Sequence, residues 1–252
     1  MLGTVLVAPQ GCRSGSSGDV RPVAHPMSDV DPDAVAVAVA GIRERIRRVA
    51  GERPVELIAV TKGFGVDAIQ AAVAAGCTSV GENYAQELRD KAALLPEGFA
   101  RPQVHFIGQL QSNKVRLIAP LVNVWQSIDR AALADEVARR APQATVFVQV
   151  NTTDEAGKGG CEPASTAALV THCAALGLSV VGLMTVGPTS ADPGQTRVAF
   201  RCLRSAADDL GLAWCSMGMS ADLEIALEEG ATHIRIGSAL FGQRPQRRAQ
   251  MG

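Results

Sequence analysis

The chain has no excess of either charge. Its 24 Lys and Arg against 25 Asp and Glu leave a formal net charge of −1, so it lacks the basic footprint of a protein that grips nucleic acid or an anionic membrane. Long apolar runs are also missing, and none approaches the roughly 18 residues a spanning helix needs. Aromatic residues make up 4% and include a single tyrosine, Tyr84, which is alone for any role that needs a phenol. The six cysteines, Cys12, Cys77, Cys161, Cys173, Cys202 and Cys215, form no C-x-x-C pair and have no histidine cluster beside them. That argues against a zinc site or other metal centre and for free thiols in a reducing compartment. Two phosphate-binding glycine fingerprints are absent as well. The first apolar run leads into "TKGFG", which is not G-x-G-x-x-G. "AGKGG" has no glycine five residues before Gly157, so it is not a P-loop.

What is present is enough apolar material for a sizeable core, 47% of 252 residues. Residues 1–30 stand apart. "QGCRSGSSGDVRPVAHP" is rich in Gly, Ser and Pro without periodicity, which predicts a disordered extension. "LGTVLVA" is short and has no basic region before it, so no secretory signal is expected and a cytoplasmic location is. Met27, just before the first structured element, is a candidate initiator in place of Met1. Residues 246–252 are read as a disordered tail.

The first structured element, "DPDAVAVAVAGIRERIRRVA", alternates like a strand. However, Val35, Val39, Ile42, Ile46 and Val49 fall at helical spacing, and Asp31-Pro32 suits a cap followed by proline in the first turn. A helix is predicted. Beyond it, eight short apolar runs alternate with amphipathic stretches: "ELIAVTK", "TSVGEN", "VHFIGQ", "VNVWQSID", "TVFVQVN", "SVVGLMTV", "LAWCSMG" and "HIRIGS". Asp129 is a plausible helix cap, Glu136 and Arg140 a helical ion pair, and Gly76, Gly177, Gly211 and Gly230 sit where helices should stop. Strands alternating with helices imply a parallel sheet, and eight units imply a single closed (β/α)8 barrel over residues 31–245 with an extra N-terminal helix. An open doubly wound sheet is the alternative.

In such a barrel the chemistry lies where the strands end. The ends here are Thr61 and Lys62; Glu82 and Asn83; Gly108 and Gln109, after His105 within the strand; Ser127 and Asp129; Asn151; Met184 and Thr185; Ser216 to Ser220; and Arg235 followed by Gly237 and Ser238. No carboxylate pair for glycoside chemistry and no metal set emerges, and His105 is read as packed rather than catalytic. The last two loops are the most informative. "SMGMSADLEIAL" is read as a loop, Ser220 as an N-cap, then a helix, and "IGSALFG" puts Gly237 and Ser238 at another helix start. Serine hydroxyls, backbone N–H groups and a helix dipole suit a phosphate. A desolvated Lys62 opposite them would be a nucleophile toward an aldehyde. On the residues alone, two chemistries remain: a sugar-phosphate aldolase, or a lysine holding pyridoxal 5'-phosphate.

"AVTKGFG", "GENYAQELRDK", "HFIGQLQSNK", "GLMTV", "SMGMSADLEIAL" and "IRIGSALFG" occur in order across residues 55–242. In combination they resemble the YggS/PROSC family of pyridoxal phosphate homeostasis proteins, barrels similar to the N-terminal domain of alanine racemase. The resemblance implies that Lys62 is the lysine forming the internal aldimine with pyridoxal 5'-phosphate. It also implies that Asn83 lies near the ring, that Ser216, Ser220, Gly237 and Ser238 surround the phosphate, and that Arg235 faces the pyridine nitrogen. The chain departs from the family at "TKG", where "SKT" is frequent, and at Ser238, where threonine is usual.

An arginine is always charged and can only donate, so Arg235 disfavours a protonated ring and a stabilised carbanion. That suits carrying the cofactor better than broad amino-acid chemistry. With Tyr84 the sole tyrosine and about ten residues after Phe241, the second base of a racemase is not expected. By resemblance the chain is a monomeric carrier of pyridoxal 5'-phosphate acting in vitamin B6 and amino-acid homeostasis, with apo forms of cofactor-dependent enzymes as recipients and no robust turnover. The alternatives are a weak single-domain amino-acid racemase, a cofactor-free aldolase and an interaction protein.

Overall fold

The alternating "AVAVAVA" is helical in the computed structural model, which describes residues 30–244 apart from 154, 156 and 191. The proposed extension up to residue 29, Met27 and the tail lie outside the described residues. Helix α1 (Pro32–Ala50) is capped as its sequence indicated, the Asp31 carboxylate accepting from the Asp33 N–H at 3.0 Å. It buries Val35, Val39, Ile42 and Ile46 and leaves the intervening residues to solvent. Helical period thus overrides a local two-residue alternation: Val37 is left 74% exposed, and alanine fills the other outward positions at little cost.

All eight predicted strands form: β1 (Glu56–Val60), β2 (Ser79–Glu82), β3 (Gln103–Phe106), β4 (Val124–Ile128), β5 (Thr145–Gln149), β6 (Ser179–Met184), β7 (Trp214–Ser216) and β8 (His233–Ile236). They are parallel and close in chain order, β8 pairing with β1 from Glu56↔His233 to Ala59↔Ile236. Between them run α2 (Val66–Ala74), α3 (Ala85–Leu94), α4 (Val115–Ile118), α5 (Ala131–Arg140), α6 (Thr166–Ala175), α7 (Pro193–Asp209), α8 (Leu223–Glu228) and α9 (Ser238–Phe241). The four glycines named as helix stops all take positive φ, between 66° and 90°. Glu136 pairs with Arg140 at 3.1 Å as expected. Asp129 does not cap α5. Arg130 occupies the cap position and Asp129 instead pairs with the Arg130 guanidinium at 2.6 Å.

Helix α9 is a single turn, too short to cover the seam where β8 meets β1. Helix α1 covers it. Arg43 donates to the Gly76 carbonyl after α2 (2.6 Å), Arg45 forms a two-bond pair with Glu224 on α8 (2.7 and 2.8 Å), and Arg53 donates to the Leu227 and Ala231 carbonyls. The main core lies between strands and helices, with Trp125, Phe106, Phe200 and Leu133 fully buried. The five described cysteines are free, and no described helix is long and apolar enough to cross a membrane.

The barrel interior is partly polar. Arg235 donates to the Ser216 hydroxyl (2.7 Å), Ser216 donates to Gln126 Oε1 (2.7 Å), and the Gln126 amide meets His105 Nδ1 (2.8 Å). Burial, then the nearby His233, pushes His105 down to about 3. His105 is therefore neutral and packed, with Nε2 buried and without a partner.

Candidate functional site

Strand β1 delivers Thr61 and Lys62 to the mouth, and the chain there is held tightly. The Thr61 N–H donates to the Gly81 carbonyl (3.1 Å), and the Phe64 N–H folds back to the Thr61 carbonyl (3.1 Å). The Thr61 hydroxyl donates to Glu82 Oε1 (2.6 Å), Lys91 Nζ donates to the Thr61 carbonyl (2.7 Å), and the Gly63 N–H donates to Glu87 Oε1 (2.6 Å). Gly63 has φ +80°, and a Cβ there would come within 3.0 Å of Arg244 Cδ. The turn is left-handed, the conformation that glycine adopts without strain. A residue with a Cβ at position 63 would be strained in it.

Lys62 projects from this turn, half-buried. Among the described residues it forms no ion pair. Desolvation, then the charges of Arg244 and Arg235, push its amine below the usual lysine range, while Glu82 and Glu87 pull the other way. Such an amine spends more time neutral, the form that attacks an aldehyde.

The second half of the site lies across the β8–β1 seam. Gly237 packs on the end of β1, where an added Cβ would sit 3.2 Å from the Val60 carbonyl oxygen. Ser238 Oγ donates to Ser220 Oγ (3.3 Å), and the Ala239 N–H reaches the same oxygen at 3.4 Å. The loops after β7 and β8 therefore meet beside the strand that carries Lys62. Ser220 is not a helix cap. Asp222 holds that position before α8 and its carboxylate accepts from the Met219 N–H (2.5 Å). This leaves the Ser220 hydroxyl at the mouth.

Ser216 stands apart from that cradle. It is the last residue of β7, fully buried, its hydroxyl bonded to Arg235 and Gln126 rather than to Ser220 or Ser238. Arg235 is 4% exposed and also donates to the Thr185 carbonyl (2.7 Å). Burial lowers it to about 10, Asp222 opposing, which leaves it charged at neutral pH. Asn83 is half-buried, and its Oδ1 is buried without a partner. Tyr84, 50% exposed, lines an open cavity of about 550 Å³ with Gln109, Lys114 and Arg130, beside Asn83.

Sequence reasoning missed Gln126, took Thr185 only as a strand end without its part in holding the Ser216–Arg235 pair, and did not join Glu82, another strand end, to Glu87 and Lys91 in one buried group. The last is hidden because Glu87 and Lys91 at i,i+4 look like an ordinary solvent-facing helix pair.

The fold and this pairing define a class: a parallel barrel with a half-buried lysine after its first strand and serines and glycines meeting in the loops after its last two. Residues 37–245 match the family model described as alanine racemase, N-terminal domain. The pyridoxal phosphate homeostasis protein of Pseudomonas aeruginosa is 40% identical over 222 residues, covering 83% of this chain and 96% of that one. The human protein of that name is 34% identical over 238 residues, covering 83% and 86%. The structure of PipY from Synechococcus elongatus with PLP bound superposes with a TM-score of 0.73 at 32% identity, covering 82% of this chain and 100% of that one. Alanine racemase from Bacillus anthracis shares the fold, with a TM-score of 0.64 at 19% identity over 86% of this chain and 58% of that one. The chain belongs to the family of pyridoxal phosphate homeostasis proteins, built on the alanine racemase N-terminal domain.

Proposed function

We propose that this protein binds pyridoxal 5'-phosphate covalently through Lys62 and acts in cellular pyridoxal phosphate and amino-acid homeostasis, as a carrier rather than a robust enzyme. The observation that supports it most is the pairing across the seam: a lysine with no ion-pair partner among the described residues beside a cradle of Ser220, Gly237 and Ser238. The residues fit the cofactor at each of its chemical groups. Bound pyridoxal phosphate supplies an aldehyde reactive toward amines and an electron-withdrawing ring. Lys62 offers the amine, and the two hydroxyls with the N–H groups opening α9 suit the phosphate. The bare Asn83 Oδ1 offers a polar contact for the ring's substituents. Arg235, fixed by Ser216 and Thr185, can donate to a ring nitrogen but has no proton to give up at neutral pH. That favours retention of the cofactor over stabilisation of a carbanion. Cytoplasmic location, a monomeric state and transfer to apo enzymes belong to the same proposal.

The test is a visible spectrum of the purified protein. An absorption band, borohydride trapping and a modified peptide containing Lys62 are expected, and Lys62→Ala should abolish all three. A Lys62→Ala protein that keeps the band and the trapped adduct refutes the assignment. Rapid exchange of the Cα hydrogen of added amino acids with deuterated water would favour the weak-racemase alternative.

A further inference from the structure

Lys91, Glu82 and Glu87 lie beneath the Lys62 turn, 0%, 0% and 3% exposed. Lys91 Nζ is 2.7 Å from an oxygen of each carboxylate. Taking ions out of water costs several kcal/mol each, and mutual attraction offsets that only when the geometry is good. An apolar triad would fill the same space more cheaply. The group's outward bonds distinguish it from simple packing. Lys91 holds the Thr61 carbonyl, Glu82 the Thr61 hydroxyl and Glu87 the Gly63 N–H. The residues on both sides of Lys62 are thus gripped by one cluster, and none of the three contacts is with Lys62 itself.

The cluster also holds a surplus of acid. Two carboxyl groups face one ammonium, Glu82 Oε2 is buried without a partner, and burial raises Glu82, Lys91 opposing the rise and Glu87 adding to it. Four charged groups bear on the Lys62 amine from the elements around it. Arg235 of β8 and Arg244 beyond α9 disfavour its protonated form, and Glu82 of β2 and Glu87 of α3 favour it. Lys91 neutralises part of that carboxylate charge.

We infer that Glu82, Glu87 and Lys91 are positioning residues for Lys62, fixing its Cα through the residues on either side and steadying the protonated amine through their surplus carboxylate. The inference deepens the proposed function and rests on Lys62 being the cofactor lysine.

The test separates the two. The chain has four lysines, Lys62, Lys91, Lys114 and Lys158, so reductive methylation with carbon-13 formaldehyde gives few side-chain signals. That of Lys62 is the one missing from Lys62→Ala. In the cofactor-free protein, Glu87→Gln and Glu82→Gln should each shift the Lys62 titration to lower pH, because each removes a charge that favours the ammonium. Glu87→Ala, which also frees the Gly63 N–H, should weaken pyridoxal phosphate binding by about tenfold, the worth of one charge-assisted hydrogen bond. Glu87→Gln keeps an acceptor for that N–H and should bind within a few-fold of the parent. A parent-like Lys62 titration in whichever of the two glutamine variants folds, judged by a cooperative melt, overturns the inference. Shifted titrations in a parent protein that binds no pyridoxal phosphate would overturn the proposed function and leave the positioning role standing.

Discussion

Two lysines flank the same peptide and have opposite surroundings. Lys91 is fully buried and surrounded by acceptors: the Thr61 carbonyl and one oxygen each of Glu82 and Glu87, all at 2.7 Å. Lys62, the next residue after Thr61, is only half-buried, yet among the described residues it has no ion-pair partner and two arginines press on it. The more buried lysine is the structural one. What decides a lysine's role here is its supply of acceptors rather than its exposure, because a satisfied ammonium is stable in the dark of a core and an unsatisfied one is reactive even near water.

The comparison can be broken by removing each side in turn. Lys91→Met leaves two buried carboxylates without their cation and should cost about 3–5 kcal/mol, read as a lower urea midpoint. A midpoint near the parent's would show that the cluster rearranges freely. Gly63→Ala should cost ~1–2 kcal/mol, since alanine in the left-handed region is strained. Because the Arg244 side chain can move aside, the loss should show mainly as weaker cofactor retention through a misplaced Lys62. Lys62→Met in the cofactor-free protein should change stability least, by less than ~1 kcal/mol at neutral pH. The sign of its pH dependence is fixed. With the folded amine below its ordinary 10.5, the unfolded chain binds the proton more tightly, so the parent gains stability as pH rises through that window. Any advantage of Lys62→Met is therefore present below the folded value and fades as pH approaches 10.5. A constant difference between the two proteins across that range would contradict the lowered amine.

Much of this was legible in the sequence. Eight apolar runs gave eight strands because a buried parallel strand must be nearly continuous in apolar residues. Lys62, Ser220, Gly237 and Ser238 stood out as candidates because they end strands or open the loops that follow. Ser216 could not be told from a loop serine because "WCSMG" does not say where β7 stops; its hydroxyl is bonded to Arg235 and Gln126. Asp129 and Ser220 were misassigned as caps because the neighbouring Arg130 and Asp222 take those positions, a shift of one or two residues that pattern alone does not resolve. The Glu82–Glu87–Lys91 cluster was invisible for another reason. Glu87 and Lys91 read as surface charges until the fold turns them toward Glu82 and the end of β1.

The seam between β8 and β1, closed on the outside by α1, has a consequence for when the molecule becomes competent. One half of the proposed site follows the first strand and the other follows the last, so neither would exist as a site until the ring shuts. On that proposal, a ribosome-bound chain that has not yet released Ser238 would have the amine but nothing to orient a phosphate beside it. Ligand that binds only the closed ring will add its binding energy to closure itself. The cofactor would then act as a latch on the last joint to form, and its capture would mark the moment at which synthesis yields a finished barrel.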